Sequence, residues 1–267
     1  MIKLNTLTQG DCLEVMHDID DKSIDLTITS PPYDNLRTYN GYDFDFEGIA
    51  KQLYRVTKDG GVVVWVVRDA TVNGSETGTS FKQALFFKEI GFNLHDTMIY
   101  AKNSYMPLTH NRYEQAFEYI FVLSRGKPKT FNPIMLPCVS SGTVRSRGGS
   151  KAKEAMYAER LRDEKTVVNA VKQAPNIFYY DVGKNDKTAH NAPFPLQLAT
   201  DQISSWSNEG DTVLDPMAGS GTTGAACINT NRNYILIEQS AEYCAVIEKR
   251  LAGHKGKLVQ EIDFGGI

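Results

Sequence analysis

Apolar residues along the chain follow two rhythms that take turns. Short β-branched runs such as Ile24–Thr29 and Val62–Val67 read as strands. The second is apolar at every position, as a strand covered on both faces must be. Between such runs apolar residues recur at helical spacing, as Ile49, Leu53 and Val56 do in a predicted helix over 46–56. The same reading predicts strands over 2–8, 96–101, 119–124, 177–182, 212–215 and 234–237. Helices are predicted over 12–17, 81–90, 221–228 and 241–251, the last capped by Ser240. Another opens at Pro195 and carries Leu198, Ile203 and Trp206. Asp59-Gly60-Gly61 is expected to stop the 46–56 helix, and Asp69–Ser80, with Gly74 and Gly78, reads as a mobile loop. The alternation describes an α/β fold, a mainly parallel sheet with helices on both faces. It is interrupted once: Pro128, Pro133, Pro137 and the Ser/Gly/Arg stretch 140–150 break the rhythm, ahead of a charged helix expected over about 151–173.

Two stretches stand out against this background. Thr29-Ser30-Pro31-Pro32-Tyr33 closes a predicted buried strand. Its prolines fix φ twice, remove two N–H donors and push Ser30 and Pro31 into extended geometry. The result is a stiff corner with free carbonyls, a hydroxyl and an aromatic ring at the carboxyl end of a strand, where open α/β sheets bind ligands. The second stretch, Asp215-Pro216-Met217-Ala218-Gly219-Ser220-Gly221-Thr222-Thr223-Gly224, reads as strand, glycine turn and helix start. Its glycines admit a ligand close to the backbone. Glu238, ending the next strand, suits ribose hydroxyls. The spacing Gly219-x-Gly221-x-x-Gly224 also admits a nicotinamide or flavin dinucleotide. Asp215, however, puts an acid inside the turn, which favours a ligand bearing an ammonium group over a pyrophosphate. No lysine follows the glycines, so a phosphate-binding P-loop is excluded.

Composition narrows the partners. Hydrophobic content of 41% and charged content of 23% suit a globular chain with a real core. No apolar run reaches membrane-spanning length and the amino terminus shows no leader pattern, so a cytoplasmic protein without membrane contact is expected. Cys12, Cys138, Cys227 and Cys244 show no C-x-x-C spacing, which points to reduced thiols and no metal. The net charge of -3 hides an asymmetry: residues 125–172 hold eleven Lys/Arg against four Asp/Glu, a local +7 that leaves -10 elsewhere. A basic patch on an acidic body fits a nucleic-acid partner.

The pair of motifs, in this order, resembles the amino-methylating DNA methyltransferases of the β group, which use S-adenosylmethionine. That resemblance implies a seven-stranded, mainly parallel, Rossmann-like methyltransferase sheet with permuted motif order. It implies a catalytic half over 1–125 and a cofactor-binding half over 181–267, around a target-recognition insertion over 126–180. Gln9-Gly10-Asp11-Cys12 is similar to the family's adenine-contacting turn, so Asp11 and Glu238 are expected to converge. His190-Asn191-Ala192-Pro193-Phe194-Pro195 resembles the element closing the methionine end, with Asn191 standing where proline is common. The implied cofactor residues are Asp11, Cys12, Thr29, His190, Phe194, Asp215, Pro216, Ala218, Gly219, Ser220, Gly221, Thr222, Thr223, Glu238 and Gln239. Ser30, Pro31, Pro32 and Tyr33 would be catalytic. Arg145, Arg147, Lys151 and Lys153 would meet phosphates of double-stranded DNA. A separately acting restriction enzyme and a homodimer are partners the resemblance admits.

In family members a serine at the position of Ser30 goes mostly with N4-methylcytosine, and aspartate or asparagine with N6-methyladenine. Cytosine N4 is therefore favoured, with adenine N6 the alternative. Other readings compete at particular residues. Pro137-Cys138 is similar to the nucleophile of cytosine-C5 methyltransferases, but it sits in the interrupted stretch and reads as an idle thiol. His190 could serve as a general base. Asp34, Asp43 and Asp45 read as solvated carboxylates in preference to a metal cluster. An oxidoreductase would leave the Ser30–Tyr33 corner unexplained, and a catalytically silent DNA-binding module would not need both motifs.

Overall fold

The computed structural model describes residues 2–32, 44–104, 111–146, 165–181 and 194–261. The first half of the chain gives β1 (Thr6–Gln9), α1 (Cys12–Met16), β2 (Ile24–Thr29), α2 (Phe46–Val56) and β3 (Thr57–Val67). It continues with β4 (Thr71–Val72), β5 (Ser75–Glu76), α3 (Thr79–Glu89), β6 (Asn93–Lys102) and β7 (Phe117–Ser124). Four short strands follow: β8 (Met135–Pro137), β9 (Val144–Ser146), β10 (Lys165–Val167) and β11 (Val171–Gln173). The last part holds β12 (Ile177–Tyr180), α4 (Leu196–Trp206), β13 (Thr212–Asp215), α5 (Thr222–Asn229), β14 (Asn233–Glu238) and α6 (Ala241–Glu261). The chain divides into Met1–Asn132 with Asn176–Ile267 as one unit, and Pro133–Pro175 as the other.

The larger unit is built on a sheet in the order β1-β14-β13-β2-β3-β7-β6-β12. From β1 to β3 all neighbours are parallel; β7 runs antiparallel to both β3 and β6, and β12 is parallel to β6. Side-chain alternation explains why β3 reads as continuously apolar. Val62, Val64 and Val66 enter one core, and Val63, Trp65 and Val67 enter the other. The first core is closed by Leu198 and Ile203 of α4, Ala226 of α5 and Ile247 of α6. Met16 of α1, Ile49 and Leu53 of α2 and Phe87 of α3 close the second. Each fully buried Leu, Ile, Met or Phe among these contributes roughly 1.5–3 kcal/mol through its removal from water.

Several elements differ from the sequence expectation. The sheet has eight strands instead of seven, because β12 turns Phe178 and Tyr180 inward and adds itself beside β6. The first strand covers Thr6–Gln9 only, since Asn5 is left-handed at φ 59° and bonds to Asn233. Asp59-Gly60-Gly61 does not precede β3 but lies within it as a bulge: pairing with β2 shifts between Ile24 and Leu26 while Gly60 takes φ 81°. Asp69–Ser80 is not an unstructured loop. The β4–β5 hairpin and the first turn of α3 fill it, tied down by the buried Asp69 carboxylate. Asp69 accepts from Ser80 N at 2.8 Å, Ser80 Oγ at 2.6 Å and Thr77 Oγ1 at 3.3 Å.

In the smaller unit, β8 pairs with β11 and β9 with β10, both antiparallel. Residues 165–173 are therefore strand and turn, not the end of a charged helix; β-branched Val167, Val168 and Val171 favour the extended form. Residues 151–164 of that expected helix lie outside the described residues. No helix among the described residues is long and apolar enough to cross a membrane.

Candidate active site at the carboxyl edge of the sheet

Because β1, β14, β13, β2 and β3 are parallel neighbours, Gln9, Glu238, Asp215, Thr29 and Val67 all end at one edge of the sheet. The two conspicuous stretches of the sequence meet there. Thr29 Oγ1 donates to Asp215 Oδ1 at 2.8 Å in the protein interior. Asp215 Oδ1 also accepts from Met217 N at 3.1 Å, and Oδ2 from Thr223 Oγ1 at 2.6 Å. The carboxylate thus bolts the end of β2, the glycine turn and the start of α5 together. At 2% exposure it is expensive to ionise: burial pushes its pKa up to about 6, above the effect of its hydrogen bonds, and the Glu238 charge adds to the rise.

The turn itself is fixed from both sides. Ala218 N bonds to Ile237 O and Gly221 N to Ala218 O. Gly221, at φ 78°, precedes α5, and a Cβ there would stand 3.0 Å from Ile247 Cγ2. Gly224 lets α5 approach β14, since its Cβ would lie 2.7 Å from Leu236 Cδ1. The Arg250 guanidinium reaches from α6 to Ser220 O at 3.2 Å, Ser220 Oγ at 3.0 Å and Thr222 Oγ1 at 3.2 Å. Pro216, Ala218, Ser220, Gly221, Thr222 and Thr223 are buried, whereas Met217 and Gly219 are half-buried at the surface of the turn.

Glu238 closes the next side. Its Oε2 accepts from Gly219 N at 2.8 Å and its Oε1 from Ser240 N at 2.9 Å. Each oxygen keeps a lone pair for a further donor, and burial raises the carboxyl pKa. Gln239 beside it is half-buried. Gly10 N bonds to Glu238 O at 3.0 Å, so the turn after β1 lies against Glu238. Asp11 Oδ1 caps α1 by accepting from Leu13 N at 2.8 Å and Glu14 N at 3.3 Å. Cys12 is raised to about 12, first by burial and then by the charge of Asp11, which rules out a reactive thiolate at neutral pH. Asp11 and Glu238 thus converge although far apart in sequence.

Ser30 and Pro32 are half-buried and Pro31 is buried directly beyond Thr29. Phe194 packs against the first core below α4, with Pro195 as the residue preceding that helix. Tyr33, His190, Arg147, Lys151 and Lys153 lie outside the described residues; Arg145 belongs to β9 by its backbone. Asp45 is a helix cap, accepting from Gly48 N at 2.9 Å, while Asp34 and Asp43 lie outside the described residues. Three residues the sequence reading passed over matter here: Arg68, Asp69 and Arg250. A charged pair, Arg68-Asp69, directly after the apolar run Val62–Val67 was the available signal for the first two. Arg250 gave none, being one of many charges on a helix.

The donor set discriminates between ligands. Two carboxylates, each with its pKa raised by burial, flank the glycine turn. A pyrophosphate would bring more negative charge against both, whereas a cationic ligand bearing ribose hydroxyls relieves both. Comparison with known proteins agrees with this chemistry. Residues 24–249 match the family model described as DNA methylase. The orphan methyltransferase M.BamHII of Bacillus amyloliquefaciens is 51% identical over 249 residues, covering 88% of this chain and 91% of that protein. The solved M1.HpyAVI–SAM complex is similar at TM-score 0.60 and 26% identity, covering 92% of this chain and 98% of that one. The cytosine-N4-specific PvuII DNA methyltransferase shares the fold at TM-score 0.68 and 19% identity, over 96% of this chain and 92% of that one.

Proposed function

We propose a target atom and a mechanism for a chain that belongs to the DNA methylase family: it methylates N4 of cytosine in double-stranded DNA, on a base extruded from the helix. That it is a DNA methyltransferase and uses S-adenosylmethionine follows from the family and from its kinship with solved complexes. Bound S-adenosylmethionine supplies a methyl group on a positively charged sulfonium. Glu238 would hold its ribose hydroxyls, the turn at Met217–Gly219 its methionine part, and the Gly10–Cys12 turn its adenine.

The chain's own residues supply the rest. An exocyclic amine is a weak nucleophile because its lone pair is delocalised into the ring. Ser30 Oγ and the Pro31 carbonyl accept its two N–H hydrogens and favour a tetrahedral nitrogen whose lone pair is localised. The rigid Pro31-Pro32 corner would aim that lone pair in line with the methyl. The N–C bond would form as the sulfonium S–C bond breaks, the neutral thioether would leave, and one amine proton would pass to water. The rate thus comes from positioning without a covalent enzyme intermediate. Extruding the base costs a few kcal/mol. Stacking on Tyr33 returns roughly 1–3 kcal/mol. The carrying observation is the Thr29–Asp215 hydrogen bond, which anchors the acceptor corner to the cofactor turn. Ser30 at the head of the tetrapeptide favours cytosine over adenine. The DNA substrate supports a cytoplasmic location.

The test is to incubate the protein with DNA and labelled S-adenosylmethionine, digest the DNA to nucleosides and weigh the modified one. N4-methylcytosine is expected. N6-methyladenine would replace the cytosine reading by its alternative, and a ligand preference for NAD with no DNA methylation would overturn both.

A further inference from the structure

We infer that Arg68 grips a phosphate of the extruded target nucleotide. This inference rests on the DNA-methyltransferase reading and adds to it the residue that holds the substrate's backbone at the catalytic corner. Arg68 directly follows β3, and β3 lies beside β2 with Thr29 opposite Trp65. Alternation along the two strands assigns Arg68 to the same sheet face as Val62, Val64 and Val66, and Ser30 to that face with Leu26 and Ile28. The guanidinium therefore starts one strand away from the acceptor hydroxyl.

Its surroundings are unusual. Arg68 is half-buried, and its Nε is fully buried with no hydrogen-bond partner among the described residues. An orphaned buried donor is destabilising. Two carboxylates that the described residues bring beside it in sequence and register are engaged elsewhere. Asp69, next in the chain, is taken by Ser80 and Thr77. Glu118 stands one residue beyond the Val67↔Tyr119 pair of β3 and β7, and Lys102 holds it at 2.6 Å. The end of β3 thus carries a cation one strand from the Ser30 corner, and neither of these two carboxylates takes up its charge. The Asp69 tie to α3 keeps the segment that bears it from swinging away.

Chemistry selects a phosphate over the base itself. Methyl transfer builds positive charge on the amine nitrogen, so a bare guanidinium against the ring would oppose the reaction. A phosphodiester neutralises Arg68 and matches its fork of donors with two oxygens. Extruding a nucleotide also brings its own phosphates to the rim of the corner, where nothing in water would otherwise fix them.

The experiment compares wild type with R68Q and R68K on one target duplex, following transfer of labelled methyl groups, DNA binding at several salt concentrations, cofactor affinity and thermal midpoint. R68Q is expected to weaken DNA binding roughly tenfold to a hundredfold, the range for one charged hydrogen-bonded contact. Its slope of log affinity against log salt should be shallower by about 0.7–0.9, the share of one phosphate. Cofactor affinity stays unchanged, the thermal midpoint does not fall, and R68K recovers the slope. A neutral methylphosphonate at one of the two phosphates flanking the target base should weaken wild type but add nothing to R68Q. An unchanged slope in R68Q, penalties that multiply at both phosphates, or an equal loss of cofactor affinity overturns the inference. If wild type itself transfers no methyl to DNA, the functional reading falls and Arg68 with it; transfer by wild type alongside an unaffected R68Q sinks the Arg68 assignment alone.

Discussion

Thr29 and Asp215 lie 186 residues apart in sequence and share a 2.8 Å hydrogen bond in the protein interior. Neither is exposed: Thr29 is 0% and Asp215 2% accessible. The bond therefore acts as a fastener between the strand that ends in the Ser30 corner and the glycine turn, and on the proposed mechanism its removal should be felt by both. Thr29→Val keeps the shape and deletes the donor. A loss of about 1–3 kcal/mol in unfolding free energy is expected from the carboxylate left short of a donor. Urea denaturation reads that loss, and calorimetry should show weaker S-adenosylmethionine binding. Thr29→Ser should restore both; a Thr29→Val protein with wild-type cofactor affinity would show that the fastener has no role in the site.

Acid dependence follows from Asp215. Its ordinary value of 3.8 is raised to about 6 in the folded protein, chiefly by burial. Between these values the folded state holds a proton that the unfolded chain has released. The stability contributed through this group is complete below pH 3.8 and lost as pH rises through about 6. Measured against Asp215→Asn, the wild-type unfolding free energy should fall steadily across that window. Parallel curves for the two proteins would mean that the carboxyl titrates normally. Cofactor affinity should run the other way, rising with pH through about 6 as the carboxyl ionises and favours a cationic ligand.

Glu238 joins the glycine turn at Gly219 to the start of α6 at Ser240. Glu238→Gln keeps one carbonyl acceptor but turns the other end into a donor facing an N–H. Cofactor affinity should drop roughly tenfold or more, as expected when a charged acceptor is lost. Turnover at saturating cofactor should change less. A fall in turnover with unaltered affinity would assign Glu238 to the chemistry instead.

Asp69 offers a stability test away from the cofactor. Asp69→Ala strips three hydrogen bonds from the β4–β5 hairpin and α3. A cost of about 2–3 kcal/mol is expected. Hydrogen exchange should increase first in residues 70–80. Uniform exchange across the protein would show that the carboxylate does not hold this segment.

Cys138 separates amine methylation from chemistry at a ring carbon. Its thiol lies 3.6 Å from Ser140 Oγ, in a turn of the smaller unit. Cys138→Ser should leave methyl transfer within about twofold of wild type, since surface-side substitutions of this kind usually shift free energies by no more than about 0.5 kcal/mol. An inactive variant would make the thiol a participant.

Both chemical stretches and the sheet they end were legible in the sequence, because each couples a short apolar run to residues with restricted backbones. Pro31-Pro32 and Gly219-x-Gly221 announce their geometry without help from the rest of the molecule. The extra strand β12 was harder. Its pattern, Phe178 and Tyr180 in with Ile177 and Tyr179 out, is visible, but nothing local says that its partner is β6. The bulge at Asp59–Gly61 reads as a helix stop because the sequence cannot show that Gly60 and Gly61 exchange backbone hydrogen bonds with Arg125. Asp69 failed for the same reason: a loop poor in apolar residues looks loose until the partners of one buried carboxylate are known.

The register that sets β13 against β2 also sets a timetable. On a ribosome adding about 5–20 residues per second, Asp215 is made roughly 10–40 s after Thr29. Until then the acceptor corner stands at the raw edge of a half-built sheet, and pairing across so long a loop is slow to form. A nascent or truncated chain ending before residue 212 would carry the whole Ser30-Pro31-Pro32-Tyr33 corner yet have no turn to face it. Competence to modify a base arrives only once the late segment has docked, so incomplete translation products are born inert.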